Sequence, residues 1–141
     1  MDVAVNYVAV LLAAASSMVV GSLWYSKAMF LDKWAKLGKV KADPNWDKSK
    51  MIPMLGMTFV ASLVTAFVLA HIAYVTNQFY QNSFFQDTVM TAVWLWLGLT
   101  GARMLTHDIF EGRPKVFTLI NLGNELVTLL LMAIIIGVMG V

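Results

Sequence analysis

Four stretches of this chain are long and apolar enough to cross a lipid bilayer as helices. A hydrocarbon core of about 30 Å requires about 20 apolar residues in an α-helix. The four stretches are residues 3–25, 53–75, 88–110 and 116–141. Charged residues make up only 13% of the 141 residues, about half the share usual in soluble domains. The sequence therefore predicts an all-α integral membrane protein, a four-helix bundle forming one domain over residues 1–141.

The basic residues are concentrated in two of the segments that join the spans. Seven of the ten Lys and Arg residues lie in residues 26–52, and two more lie in residues 111–115. In a four-span chain these two segments share one side of the membrane. Short basic segments stay in the cytoplasm, so we expect both termini on the non-cytoplasmic side of a cell or inner membrane. Because the lysines flank membrane spans and no reading module is present, we expect no nucleic-acid partner.

The segment after the first span has the pattern of a short amphipathic helix lying in the headgroup plane. Its apolar residues, including Trp34, share one side of a helical wheel, and Lys33 and Lys36 point away from them. Lysine side chains near a membrane surface attract anionic lipids, and tryptophan favours the interface. We therefore expect lipid headgroups to contact Lys33, Trp34, Lys36 and Lys39, which makes membrane lipids a predicted partner.

Small residues recur on one stripe of the first span, at spacings of three and four. Such stripes let helix backbones approach closely in lipid, where packing is the main attraction. The sequence predicts close helix packing at Ala13, Ser17 and Gly21. The neighbouring helix belongs either to the same bundle or to a second protomer.

Polar residues fall on one face of the third span and on one face of the fourth. Arg103 and His107 lie on the third, and Asn121, Asn124 and Glu125 lie on or beside the fourth. The connection between these spans is short, so they form an antiparallel hairpin. Counted from the turn, Arg103 and Glu125 both lie roughly 15–18 Å along their helices. The sequence predicts that they form an ion pair between the two spans.

Three interpretations of these intramembrane charges remain open. A single ionised group in mid-membrane costs roughly 2.5–3.5 kcal/mol on translocon scales, and pairing removes much of this penalty. The pair could be a structural lock, or it could belong to a polar lining for a solute, proton or ion together with His107, Asn121 and Asn124. Alternatively, Arg103 extends its guanidinium to the headgroups.

The sequence contains no recognisable motif for catalysis or for metal binding. The chain has no cysteine. We find no nucleophile with a neighbouring base, no cluster of metal ligands and no glycine-rich phosphate loop. The sequence therefore predicts no enzyme activity, no metal site and no cofactor.

Two segments together resemble a known family. The first is Gly21-Ser-Leu-Trp-Tyr-Ser26 followed by Phe30 and Trp34, and the second is Phe110-Glu-Gly-Arg-Pro114 followed by Phe117, Ile120 and Asn121. This combination resembles the bacterial and fungal membrane family called domain of unknown function 1761. The resemblance covers essentially the whole chain, and it implies a small four-span protein with no assigned activity.

Three functional hypotheses follow from these observations. The protein could be a homo-oligomer that takes part in permeation or transport of a small solute or ion, which we favour slightly. It could instead be a structural or accessory subunit packed against other membrane proteins. It could also be a lipid-binding protein that organises the membrane through its basic segment.

Overall fold

The structure, a computed structural model, describes residues 3–40 and 48–141. Residues 41–47 of the predicted basic segment therefore lie outside the described residues. Among the described residues, four helices are long and apolar enough to span a membrane, which confirms the predicted all-α architecture. The helices are α1 (Tyr7–Trp24), α2 (Leu31–Leu37), α3 (Met51–Tyr80), α4 (Phe84–Leu95), α5 (Ala102–Phe110) and α6 (Lys115–Met139). A π-helical turn, Trp96–Gly101, joins α4 to α5, so that the third span is Phe84–Phe110.

The second and third spans are longer than predicted because the turn between them is short. Gln81 ends α3 with a left-handed backbone (φ 57°), and the Ser83 hydroxyl caps α4 by accepting from the Gln86 N–H at 3.3 Å. The buried Asp87 carboxylate accepts hydrogen bonds from the side-chain amides of Asn77 at 2.8 Å and Asn82 at 2.9 Å. These bonds join the end of α3 to the start of α4.

The four spans form an up-and-down bundle in which each helix packs against two antiparallel neighbours. Around the bundle the order is α1, α3, α4 and α6, with α6 returning to α1. Alanine dominates the closely packed half, which contains the start of α1, the second half of α3, α4 and the end of α6. The fully buried alanines there are Ala9, Ala13, Ala14, Ala66, Ala73, Ala92 and Ala133. We call this end the termini end, and the end that carries α2 and residues 111–114 the basic end.

The π-helical turn changes which residues of the third span face the bundle. Trp96, its first residue, points inward and donates its indole N–H to the Leu122 carbonyl at 3.2 Å. A π turn inserts one extra residue into a helix, so the next inward residue is Gly101, five positions later, and Asp108 follows on the same face. Regular α-helical spacing from Trp96 would have placed Arg103 and His107 inward, but both are exposed.

The short helix α2 lies against α6 at the basic end. The indole N–H of Trp34 and the hydroxyl of Tyr25 each donate to Asn121 Oδ1 at 3.0 Å. Trp34 also stacks on Phe117 of α6, with 5.9 Å between ring centroids. Nearby, the Trp24 indole N–H donates to the Ile120 carbonyl at 3.0 Å. The segment that follows α1 is therefore held on α6 by aromatic packing and three hydrogen bonds.

A polar cluster closes the turn between α5 and α6. The buried Asp108 carboxylate accepts from the Thr118 hydroxyl at 2.6 Å, and its Oδ1 lies 3.8 Å from Arg113 Nε. Arg113 Nε also donates to Glu111 Oε2 at 2.6 Å. This hydrogen bond, then the charge of Glu111 and lastly that of Asp108, raise the pKa of Arg113, so its positive charge is retained.

Candidate functional site

The basic half of the bundle contains a polar cavity between α1, α3 and α6. Its volume is about 530 Å³. It extends from Tyr25 and Leu55, near the basic end, to Thr65 and Met132, where the alanine packing begins. The polar side chains in its lining are Ser17, Ser22, Tyr25, Thr58, Ser62, Thr65, Asn124, Glu125 and Thr128. A polar cavity at this depth differs from the apolar packing expected where three membrane helices meet.

Two neighbouring residues of α6 give the cavity its strongest polar groups. Asn124 is 8% exposed, and its Nδ2 has no hydrogen-bond partner within the described structure. Glu125 is half-buried beside it, and among the described residues no cationic side chain lies within 4 Å of its carboxylate. Buried polar groups in proteins are normally hydrogen-bonded, and buried charges are normally paired. Glu125 therefore has unused binding capacity in the cavity wall, and the unpartnered Nδ2 of Asn124 is buried beside it.

Most hydroxyl groups of the lining already use their hydrogens within the protein, whereas the Thr128 hydroxyl has no hydrogen-bond partner among the described residues. A carbonyl oxygen can only accept, so a hydroxyl bonded to one must be the donor. Four serine and threonine hydroxyls donate in this way to carbonyls of their own helices: Ser17 to Ala14 at 2.7 Å, Ser22 to Met18 at 2.7 Å, Thr58 to Met54 at 2.9 Å and Thr65 to Ala61 at 3.0 Å. Toward the cavity these groups present oxygen lone pairs.

Tyr25 is in the same situation at the mouth of the cavity. An indole N–H can only donate, so the Asn121 atom that Trp34 contacts must be the amide oxygen. The Tyr25 hydroxyl lies 3.0 Å from that same oxygen and therefore donates its hydrogen to it. Its oxygen lone pairs remain available to the cavity.

The predicted pair between Arg103 and Glu125 is not formed, which corrects the sequence interpretation. Glu125 lines the cavity between α1, α3 and α6, whereas Arg103 is exposed on α5. In the described part of the chain, the ion pairs within 4 Å are those of Arg113 with Asp108 and Glu111. The physical reason is the π-helical turn, which rotates α5 so that Asp108, rather than Arg103 or His107, faces the bundle.

The other predicted polar residues separate into two groups. Asn124 lines the cavity with Glu125, as members of a common lining should. Asn121 instead accepts from Trp34 and Tyr25, so its side chain holds α2 in place. His107 is exposed on α5, on the opposite side of the bundle from the cavity.

The small-residue stripe of α1 has two different environments. Ala13 is fully buried in the alanine core, and the Ser17 hydroxyl lies 2.8 Å from that of Ser62 on α3. At Gly21, however, an added Cβ would meet nothing within 4 Å. The predicted close packing at Gly21 is therefore absent, because α1 and α3 diverge there and the cavity occupies the space.

The basic segment contacts protein on one side and solvent or headgroups on the other. Lys33, Lys36 and Lys39 are all exposed. Trp34 is half-buried against α6, so its indole contacts protein on one side, and its contact with lipid headgroups stays a prediction. The wheel identified the apolar side of α2 correctly, but an apolar side can pack against either lipid or a neighbouring helix, and here it packs against α6.

The sequence analysis did not connect the α3 residues of the cavity with Glu125. Thr58, Ser62 and Thr65 form a stripe at spacings of four and three, and Glu125 and Thr128 follow the same spacing on α6. These two matching stripes were the available signal. It was missed because α6 was paired only with the third span, to which a short turn joins it.

Fold and site together define a small four-span helical membrane protein with a polar cavity in one half of its bundle. The family model described as "Protein of unknown function (DUF1761)" matches residues 8–137, and the chain belongs to this family. The resemblance inferred from the sequence is thereby confirmed. Comparison with curated proteins and with solved structures finds no match for the chain.

Proposed function

We propose that this protein binds a small polar solute in the cavity between α1, α3 and α6 and takes part in its passage across the membrane. One observation carries the proposal, namely the unused polar groups of Asn124 and Glu125 in the cavity wall. Polar and ionisable groups inside a membrane protein are energetically unfavourable, and they commonly mark the path of a substrate or ion.

The distribution of packing within the bundle supports the same proposal. Alanine closes the termini half, since Ala13, Ala66 and Ala133 are each 0% exposed. In the basic half, α3 diverges from its neighbours, and Leu55 in the cavity wall is 48% exposed. A solute would therefore reach Glu125 from the basic half, while the alanine core forms a barrier beyond it.

Water access to the cavity provides the first test. Because the chain has no cysteine, single cysteines can be placed at Thr128, which lines the cavity, and at the adjacent Val127, which is 40% exposed outside it. In liposomes we expect a small charged thiol reagent to modify Thr128→Cys and to leave Val127→Cys unmodified. Equal modification of both positions, or of neither, would contradict a hydrated cavity.

Osmotic swelling of liposomes containing the protein tests passage directly. We expect small hydroxyl-containing solutes to enter faster than they enter protein-free liposomes. Thr128→Trp should slow this entry, because an indole would fill the cavity. Val127→Trp, facing outward at the same depth, is the matched control and should have no effect. If none of the solutes enters faster than in protein-free liposomes, the proposal fails.

We also propose that the protein self-associates, as a transporting unit built from copies of this chain. The apolar side chains in the first turns of α3 are exposed, and Ile52 and Met57 are each 76% exposed. Arg103 is exposed on α5 without a carboxylate within 4 Å in the described structure. A second copy would cover such surfaces. Native mass spectrometry from nanodiscs measures the assembly, and a monomer at every lipid composition would contradict this proposal.

A further inference from the structure

The geometry of the cavity points to a particular class of solute, a small organic ammonium ion that also carries a hydroxyl or carbonyl group. This inference rests on the proposed function and specifies its substrate. Its basis is a cavity wall in which five hydroxyl oxygens are free only to accept hydrogen bonds, one carboxylate is present and much of the remaining surface is apolar. Each of these three properties excludes a different kind of ligand.

The hydrogen-bonding capacity of the wall requires a ligand that brings its own hydrogens. The hydroxyls of Ser17, Ser22, Thr58 and Thr65 donate to helix carbonyls, and that of Tyr25 donates to Asn121. A hydroxyl has one hydrogen and two lone pairs, so these five oxygens can only accept from a solute. An ammonium group, which has up to three N–H donors and no acceptor, is complementary to them.

The charge of the wall favours a cation. Among the described residues of the lining, Glu125 alone carries an acidic side chain, and none of them is Lys, Arg or His. A carboxylate that leaves water is unfavourable unless it is paired. A monovalent cation in the cavity would pair with Glu125, whereas an anion would be repelled by it.

The apolar part of the wall and the cavity size favour an organic ion over a bare one. Met18, Leu55, Ala61, Leu129 and Met132 supply carbon surface around the polar groups. A cavity of about 530 Å³ is far larger than one inorganic ion needs. A bare ion would also leave the Thr128 hydroxyl of the lining, which has no hydrogen-bond partner among the described residues, without an acceptor for its hydrogen. A hydroxyl or carbonyl oxygen on the ligand would accept from it.

The decisive experiment compares three two-carbon solutes that differ in charge. Ethanolammonium, ethylene glycol and glycolate each carry a hydroxyl group, with charges of +1, 0 and −1. Their uptake into liposomes containing the full chain is measured, with ²²Na⁺ as the bare-ion arm. We expect ethanolammonium to enter fastest, and Glu125→Gln to slow it by about tenfold or more, because a charge-assisted hydrogen bond is lost.

Two further variants separate a role in recognition from a role in folding. Glu125→Asp keeps the negative charge, so the preference for ethanolammonium over glycol should remain. Asp32→Asn removes an exposed carboxylate on α2, outside the cavity lining, and should leave uptake unchanged. Circular dichroism and the elution volume establish that each variant is folded.

Each outcome of the comparison decides between the two proposals. Equal uptake of glycol and ethanolammonium would overturn the inference about charge and leave the proposed function standing. Faster uptake of glycolate or of Na⁺ would likewise overturn the inference, and so would a Glu125→Gln protein with an unchanged preference. If no solute enters faster than in protein-free liposomes, the proposed function itself fails and the inference fails with it.

Discussion

The indole N–H of Trp34 donates to the side-chain oxygen of Asn121 at 3.0 Å, and this contact fixes α2 on α6. The two residues are far apart in the sequence, and each belongs to a different segment of the family resemblance. Since Asn121 also accepts from Tyr25, a single amide joins the end of α1, the short helix and the last span. The segments by which the family is recognised thus meet at one structural junction.

Replacing Asn121 by Ala should destabilise the protein by about 1–3 kcal/mol, because two donors lose their acceptor. Trp34→Phe removes one of those donors and retains an aromatic ring against Phe117, so its effect should be smaller. The two substitutions should be non-additive when combined, since they remove a shared interaction. Thermal unfolding in detergent measures all three variants, and strict additivity would contradict the role of Asn121.

Two glycines should respond oppositely to the same substitution. An added Cβ at Gly21 meets nothing within 4 Å, so Gly21→Ala should stabilise α1 by about 0.5–1 kcal/mol through helix propensity. At Gly123 the added Cβ would lie 2.9 Å from Trp24 Cζ2. Overpacking of this kind costs about 1–3 kcal/mol, so Gly123→Ala should lower the unfolding temperature. A destabilising Gly21→Ala would contradict the open space beside Gly21, and a stabilising Gly123→Ala would contradict the close contact of Gly123 with Trp24.

Arg103 and Glu125 should behave as independent residues in a double-mutant cycle within one protomer. The variants are Arg103→Met, Glu125→Gln and the combination, and stability is measured in a detergent that keeps the protein monomeric. Residues that share no partner usually add to within about 0.3–0.5 kcal/mol. A coupling well above that range would mean that the two side chains pair after all.

Charge removal from α2 should weaken the retention of anionic lipid. Lys33, Lys36 and Lys39 are exposed, and each lysine near an anionic surface contributes about 1 kcal/mol. We expect the triple Lys→Gln variant to retain less anionic lipid in native mass spectra while α2 stays docked through Trp34. Unchanged retention would show that these lysines do not face headgroups.

The orientation of the bundle can be tested with single cysteines at opposite ends. From the distribution of basic residues we expect Lys36→Cys to be cytoplasmic and Gln86→Cys, at the termini end, to be outside. In intact cells an impermeant thiol reagent should therefore label the Gln86→Cys protein only. Both positions are exposed, so exposure does not bias the comparison. Labelling of the Lys36→Cys protein alone would reverse the topology.

The spans were predictable because hydropathy is a property of about twenty residues together and does not depend on helical phase. The position of Arg103 relative to Glu125 was not predictable in this way. The predicted pair assumed that the third span is one unbroken α-helix, and that assumption decides which face of α5 carries Arg103. One extra residue in Trp96–Gly101 changes that phase, and its cause is tertiary, since Trp96 is held by the Leu122 carbonyl. The position of Trp34 depended on whether its apolar side met lipid or α6, which the pattern of α2 alone does not decide.

The π-helical turn also makes the inner surface of the bundle adjustable in discrete steps. One residue in an α-helix corresponds to a rotation of roughly 100°. If Trp96–Gly101 rewound into a regular α-helix with no change of length, α5 would rotate by about this angle, and Arg103 would turn from the outer surface toward the helices it now faces away from. The winding of this one turn can therefore exchange the side chains that α5 presents to the interior while the sequence stays the same.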